Sequence, residues 1–345
     1  MKNYLIGIII FLIIGMQIAC RKDKPSAKNQ TVSVSKSSVY ITNEGNFQFG
    51  NASVSLFDEV NKTVTDDLFK PANSRPLGDV CQSLFFFNNN CYVVLNNSAK
   101  IEVVNATTFV ASNTINGFNS PRYFLPVSNQ KAYVSDLYAN KIWVVDLVAN
   151  KISNSINCVG WTEQMLSLYG HVYVANRSTD KVYVLNIVLD KIIDSIKVGY
   201  GPNSIKQDKN GNLWVLCNGD ASKNKLASLH QINPINNTVI KSLAFTDSND
   251  LPTRLNFNST NDTLFYLNKN IYQLSINAAQ LPNSAIISQG GSNFYSLAIN
   301  PNNNIIYVSD AIDYVQKGTI YRYLSNGVLI DNFKAGIIPG DFYFH

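Results

Sequence analysis

The chain has 345 residues, 46% hydrophobic and 15% charged, which is enough apolar material for a packed domain and too little charge for a disordered chain. Its formal charge of +5 resides in residues 1–36, where Lys2, Arg21, Lys22, Lys24, Lys28 and Lys36 face only Asp23. The rest of the chain is neutral, so the basic balance supplies no nucleic-acid face and no nucleic-acid partner is expected.

In chain order, residues 1–19 read as a lipoprotein signal peptide. Lys2 precedes an apolar run from Tyr4 to Ile14, and small Ala19 precedes Cys20. Cys20 is the expected lipidation site, giving a membrane attachment through lipid. Residues 20–38 are rich in Lys and Ser, with Asn, Gln and Thr and almost no large apolar side chain, and are expected to form a flexible tether. The folded domain is expected over 39–345.

Seven segments then repeat an aromatic-aliphatic strand ending in Asn or Asp: Tyr40 to Asn43, Tyr92 to Asn96, Tyr133 to Asp136, Tyr173 to Asn176, Trp214 to Asn218, Phe265 to Asn268 and Tyr307 to Asp310. Their spacing of about 40 residues, stretched by insertions in the first and fifth units, matches one four-stranded blade per repeat. Further strands follow within a unit, such as Lys141 to Asp146 and Lys151 to Ile156, with β-branched and aromatic residues alternating with polar ones. Helical periodicity is nowhere sustained. A Pro or polar turn introduces each innermost strand, as at Pro121, Pro202 and Pro252. The N-terminal unit begins at its second strand, so Phe342 to His345 must supply its inner one. The expectation is an all-β fold, a seven-bladed β-propeller closed by pairing of the N- and C-terminal strands, which removes an exposed sheet edge.

Cys81, Cys91, Cys158 and Cys217 lie in strand-like apolar segments without disulfide or redox spacing and read as buried thiols. A turn at Asn88-Asn89-Asn90 that pairs Phe86 with Cys91 puts Cys81 opposite Asn96, which disfavours a Cys81–Cys91 bridge.

The Asn and Asp residues ending the second strands suit either a ring of oxygen ligands for a hard cation or, more simply, caps for the following turns. His171, His230 and His345 fall at unrelated places in the repeat, and no nucleophile elbow or phosphate loop is present. The expectation is no catalytic residue, no metal site and no cofactor.

Loops joining strand two to three, and strand four to the next blade, open on one face of such a ring. The candidate ligand-binding residues there are Glu44, Phe47 and Phe49 on the 44–51 loop, with Arg75, Arg122, Tyr138, Trp161, Arg177, Tyr200, Arg254, Phe294 and Tyr295; Phe118, Asn119, Asp220 and Tyr314 accompany them. Aromatics with Arg and Asn around a concave mouth suit a large, partly polar ligand. About half of these aromatics are expected to pack between blades instead.

The Tyr-Val-x-Asn units resemble the YVTN, YncE-like family of β-propellers. The segment from Ile41 to Asp58 is similar to the opening of a DUF5074-like lipoprotein subfamily of Bacteroidetes. That resemblance covers the mature chain and implies a lipid-anchored outer-membrane protein that captures vitamin B12 or a related corrinoid and passes it to a TonB-dependent receptor. Basic Arg21-Lys22 after Cys20 leaves open whether it faces the surface or the periplasm. The leading expectation is thus a non-enzymatic binding protein for cobalamin or another corrinoid in the cell envelope. The alternatives are an extracytoplasmic protein-interaction scaffold and a metal-dependent, lactonase-like propeller hydrolase.

Overall fold

The computed structural model describes residues 37–344; the signal peptide, Cys20 and the tether up to residue 36 lie outside the described residues, as does His345. Among the described residues, the strands assemble into seven antiparallel sheets, and no helix is long and apolar enough to cross a membrane.

Blade 1 joins the two ends of the chain. Its strands run, from the centre outward, Pro339–Phe344, Ser38–Asn43, Ser53–Asp58 and Thr63–Thr65. Tyr40 pairs with Tyr343 and Ile41 with Phe342, so the expected closure is present, with its inner strand beginning at Pro339. Blades 2 to 5 follow in sequence, each with four strands, their inner strands being Cys81–Phe87, Pro121–Pro126, Thr162–Leu168 and Pro202–Gln207. Blade 7 has four strands from Phe294–Ile299 outward. Blade 6 departs from the expected four, with only Thr253–Phe257, Thr263–Asn268 and Asn270–Ser275. Its outer position is taken by an irregular segment touching the sheet through one bridge, Ile271 to Ile287. Pro282, Gly290 and Gly291 fall in that segment, and such residues interrupt a ladder.

Strand alternation explains why the ring packs. Side chains at successive positions point to opposite sheet faces, so Val93 and Leu95 join the core between blades 1 and 2, while Tyr92 and Val94 join the core between blades 2 and 3. Seven hydrophobic clusters result, one at each blade interface. The repeat aromatic enters a different cluster in every case. Four repeat tyrosines also send the hydroxyl to the turn beyond the third strand of the next blade. Tyr40 donates to the Ala106 carbonyl at 3.4 Å, Tyr173 to that of Pro234 at 3.0 Å and Tyr307 to Glu59 Oε1 at 2.5 Å, and Tyr133 donates to Asp190. A buried phenol keeps its hydrogen bond this way, which accounts for tyrosine rather than phenylalanine in the motif.

All four cysteines of the domain are buried free thiols. Phe86 does pair with Cys91, but a bulge between Cys81 and Ser83 shifts the ladder so that Cys81 faces Leu95 instead of Asn96.

Candidate functional site

That bulge recurs in every inner strand. The ladder slips between Cys81 and Ser83, Pro121 and Phe124, Thr162 and Met165, Pro202 and Ser204, Thr253 and Asn256, Phe294 and Ser296, and opposite Gly340 in blade 1. A bulge inserts an unpaired residue and re-aims its side chain. Here the inserted positions hold Gln82, Arg122, Glu163, Asn203, Arg254 and Tyr295, and all six line a mouth of about 730 Å³ at the loop-bearing end of the central channel. Blade 1 has Gly340 at this position. A Cβ on Gly340 would lie 3.0 Å from Glu44 Oε1, so Glu44 occupies the space that the glycine leaves and completes the circle.

Electrostatics organise the mouth. Glu163 binds Arg122 through Nη2 to Oε1 at 2.9 Å and Nε to Oε2 at 3.4 Å, while Arg122 also donates to Gln82. Glu44 accepts from the Tyr295 hydroxyl at 2.8 Å. Burial pushes the Glu44 carboxyl above its usual range, against the pull of Tyr295, Arg254 and Arg122. Arg177 stacks on Trp161 with its guanidinium carbon 4.2 Å from the ring centroid, and Arg122 lies 5.5 Å from the same ring. Burial lowers the Arg177 pKa, and the charge of neighbouring Arg122 adds to that, against the opposing pull of Glu163 and Tyr123. With the Asn218 amide oriented to suit its neighbours, Arg177 donates to it at 3.2 Å. The Trp161 indole N–H is buried and has no partner among the described residues. Arg254 sits at φ 59°, a left-handed conformation that costs a non-glycine residue on the order of 1 kcal/mol or more, and its Nη1 is 3.7 Å from Asp341.

Below, a second chamber of about 430 Å³ continues the channel, sharing Tyr123, Gln164 and Arg254 with the mouth. Its walls are more apolar, with Phe85, Leu125, Leu166 and Phe344, and it contains Lys206 and Asp341.

Of the residues expected from sequence, Glu44, Arg122, Arg177, Arg254, Phe294 and Tyr295 line the mouth, with Tyr314 beside them. Trp161 supports it through the two arginines. Phe294 is a mouth residue only in part, since it is 8% exposed and belongs to the core between blades 6 and 7. Phe47, Phe49 and Tyr138 are 62%, 77% and 71% exposed on the outer rim and do not line the mouth. Tyr200 also stands outside, donating to the Ser178 carbonyl at 2.9 Å and accepting from Lys223. Arg75 is a correction. It forms a two-pronged ion pair with buried Glu102 at 2.9 and 2.8 Å and stacks on Phe69, so it ties blade 2 to the short helix Phe69–Asn73 instead of facing a ligand.

Sequence reading missed Gln82, Glu163, Gln164, Asn203 and Lys206. The signal was available in the residue following each strand-opening Pro, Thr or Cys: Gln82, Arg122, Glu163 and Asn203 all hold it.

Five of the seven second-strand Asn and Asp side chains, Asn43, Asp136, Asn176, Asn268 and Asp310, accept backbone N–H bonds. Asp136 accepts from the backbone of Asn119, Ser120, Tyr138 and Ala139 at 2.9 to 3.1 Å, and from the Trp143 indole at 3.0 Å. Asn43 accepts from Gly336 N at 2.9 Å, and Asp310 from Asn293 N and Ile312 N. The oxygens of these three are thereby engaged, chiefly by backbone donors within and between blades.

A family model described as a domain of unknown function, DUF5074, matches residues 37–337. No curated protein matches the sequence. Among solved structures, a quinoprotein alcohol dehydrogenase-like protein from Bacteroides thetaiotaomicron superposes with a TM-score of 0.70 at 14% identity, covering 90% of this chain and 78% of that one. A putative 6-phosphogluconolactonase from Bacteroides fragilis gives 0.64 at 14% identity, with 91% and 99% covered. A protein from Lactobacillus plantarum gives 0.69 at 14%, with 90% and 99% covered. At such identity these likenesses establish the propeller fold and nothing finer.

Proposed function

We propose that this chain, which belongs to the DUF5074 family, is a non-enzymatic binding protein whose channel mouth captures a large, amide-bearing ligand of the corrinoid class. The observation that carries the reading is the composition of the bulge circle. Gln82 and Gln164 have their carbonyl oxygens fixed by Arg122 and by the Ile205 N–H, and neither amide nitrogen has a partner among the described residues. Fixed donors of this kind, beside the guanidiniums of Arg122 and Arg177 and the ring of Tyr295, suit a ligand rich in carbonyl acceptors with one extended face. The mouth's size falls in the roughly 300–1,000 Å³ range of ligand sites, and a corrinoid would protrude from it onto the rim that carries Phe47, Phe49 and Tyr138.

Binding is favoured over catalysis because the channel carboxylates are occupied. Glu163 holds Arg122, Glu44 holds Tyr295, and Asp341 holds Arg254 and the Tyr343 hydroxyl. A lactonase-like hydrolase needs such oxygens to converge on a metal ion. The envelope setting follows from the leader: Cys20 would carry lipid, the tether would span to the domain, and a TonB-dependent outer-membrane receptor would take the cargo.

Calorimetric titration with cyanocobalamin tests the reading. Saturable one-to-one binding is expected, weakened by Arg177→Met and little changed by Arg75→Met. Absence of binding refutes the ligand class, and binding indifferent to Arg177→Met refutes the location.

A further inference from the structure

One level below the bulges, each inner strand places a residue directly opposite the repeat aromatic. Around the ring these are Phe85, Leu125, Leu166, Lys206, Asn256, Ala298 and Tyr343. Paired residues of an antiparallel ladder share a sheet face, so the seven occupy equivalent heights, and all seven line the lower chamber. The collar is two-sided. Blades 2 to 4 contribute Phe85, Leu125 and Leu166 in succession, and blade 5 contributes Lys206.

Lys206 is the lysine that lines this chamber. Its ammonium makes no hydrogen bond or close ion pair with another described residue, and Asp341 acts on it only through space. That carboxylate is held by Arg254 at 3.7 Å and by the Tyr343 hydroxyl at 3.3 Å. Two cations therefore share one carboxylate at this level. A shielded, unpaired ammonium is costly, and an incoming anion removes the cost.

We propose that the lower chamber is a second binding site, distinct from the mouth, for an organic carboxylate with an apolar body: the carboxylate on Lys206 and the body against Phe85, Leu125 and Leu166. A neutral ligand leaves the ammonium unpaired, and a cationic one meets both Lys206 and Arg254. The chamber thus selects amphipathic anions by charge as well as by surface.

The full chain is titrated calorimetrically with decanoate, with 1-decanol as the uncharged control and Lys206→Met and Lys206→Arg as variants. Decanoate is expected to bind the wild type with one-to-one saturation. Lys206→Met should weaken it by roughly ten- to a hundredfold, the span carried by one charge-assisted hydrogen bond, while leaving 1-decanol and mouth ligands unchanged. Lys206→Arg should retain decanoate binding, which keeps the test valid if the Met variant folds poorly. Three results overturn the proposal: no saturable decanoate binding to the wild type, equal affinity in wild type and Lys206→Met, or loss of decanoate binding in a folded Lys206→Arg.

Discussion

Removing residues 339–345 should abolish cooperative folding, and the magnitude can be worked from what the last strand holds. Pro339–Phe344 forms the inner ladder of blade 1 against Ser38–Asn43. Phe342 is buried at the interface of blades 7 and 1 with Phe344 packed against the same cluster, and Tyr343 packs against the core between blades 1 and 2. Buried Phe342 at about 1.5–3 kcal/mol and half-buried Tyr343 and Phe344 at about half that each give roughly 3–6 kcal/mol. The lost ladder bonds and the Ser309 hydroxyl bond to the Pro339 carbonyl, 2.7 Å long, add about 1 kcal/mol apiece. The total is comparable with the roughly 5–15 kcal/mol that holds a typical domain. It also uncovers the Ser38–Asn43 edge to pairing with other chains. Thermal unfolding followed by circular dichroism should show no sigmoidal transition for the truncated chain, or one displaced far below the wild type. A transition at the wild-type temperature would refute the closure argument.

His230 hydrogen-bonds Ser228 and Ser242 at 2.9 Å each, and burial lowers its pKa from 6.5 to about 4. The unfolded chain therefore takes up a proton that the native imidazole refuses. Stability should fall as pH drops from about 6.5 to 4, by roughly 3 kcal/mol at the lower end, and denaturant titrations of His230→Gln should lack this component. For Glu44 the sign is opposite. Its folded pKa is raised, so the ionised form is disfavoured in the fold and the penalty applies above that pKa. Glu44→Gln should raise the melting temperature at pH 8 and leave it unchanged near pH 4. Arg75→Met strips buried Glu102 of its two-pronged partner, leaving Lys100 at 2.6 Å; it should cost on the order of 1–3 kcal/mol of stability without altering corrinoid affinity.

The ring was legible because its cause is local. A tyrosine that must enter the neighbouring interface and reach the next turn, as Tyr173 does, recurs at nearly fixed spacing. Asn or Asp that must cap a turn, as Asp136 does, recurs with it. Blade 6 was misread because the loss of an outer strand depends on Pro282 and the glycines beyond it, whereas the Phe265–Asn268 motif that announces the blade is intact. The Cys81 register failed for another reason. Counting from the Asn88–Asn90 turn assumes an unbroken ladder, and the inner-strand bulge breaks it two residues before the end.

The site was half legible. Arg122, Arg254 and Tyr295 stood out as large cationic or aromatic residues near turns, but their common origin in the bulge did not, so Gln82, Glu163 and Asn203 passed as ordinary polar strand residues. Arg75 misled because its partner Glu102 is 27 residues away and invisible to a reading of the loop alone. Phe47 and Phe49 were placed in the mouth because they are aromatics on the 44–51 loop, whereas both are exposed and lie outside its lining. Lys206 could not be recognised from sequence, because its significance lies in what Phe85, Leu125 and Leu166 place across the channel.

The structure of the chain saturated with cyanocobalamin tests the central claim most directly. The account predicts the ligand over the mouth, with its amide oxygens within hydrogen-bond reach of Gln82, Gln164 and the Arg122 or Arg177 guanidinium, and a ring face against Tyr295. A ligand bound on the outer blade edges with the mouth empty, or no bound ligand at saturating concentration, would contradict it.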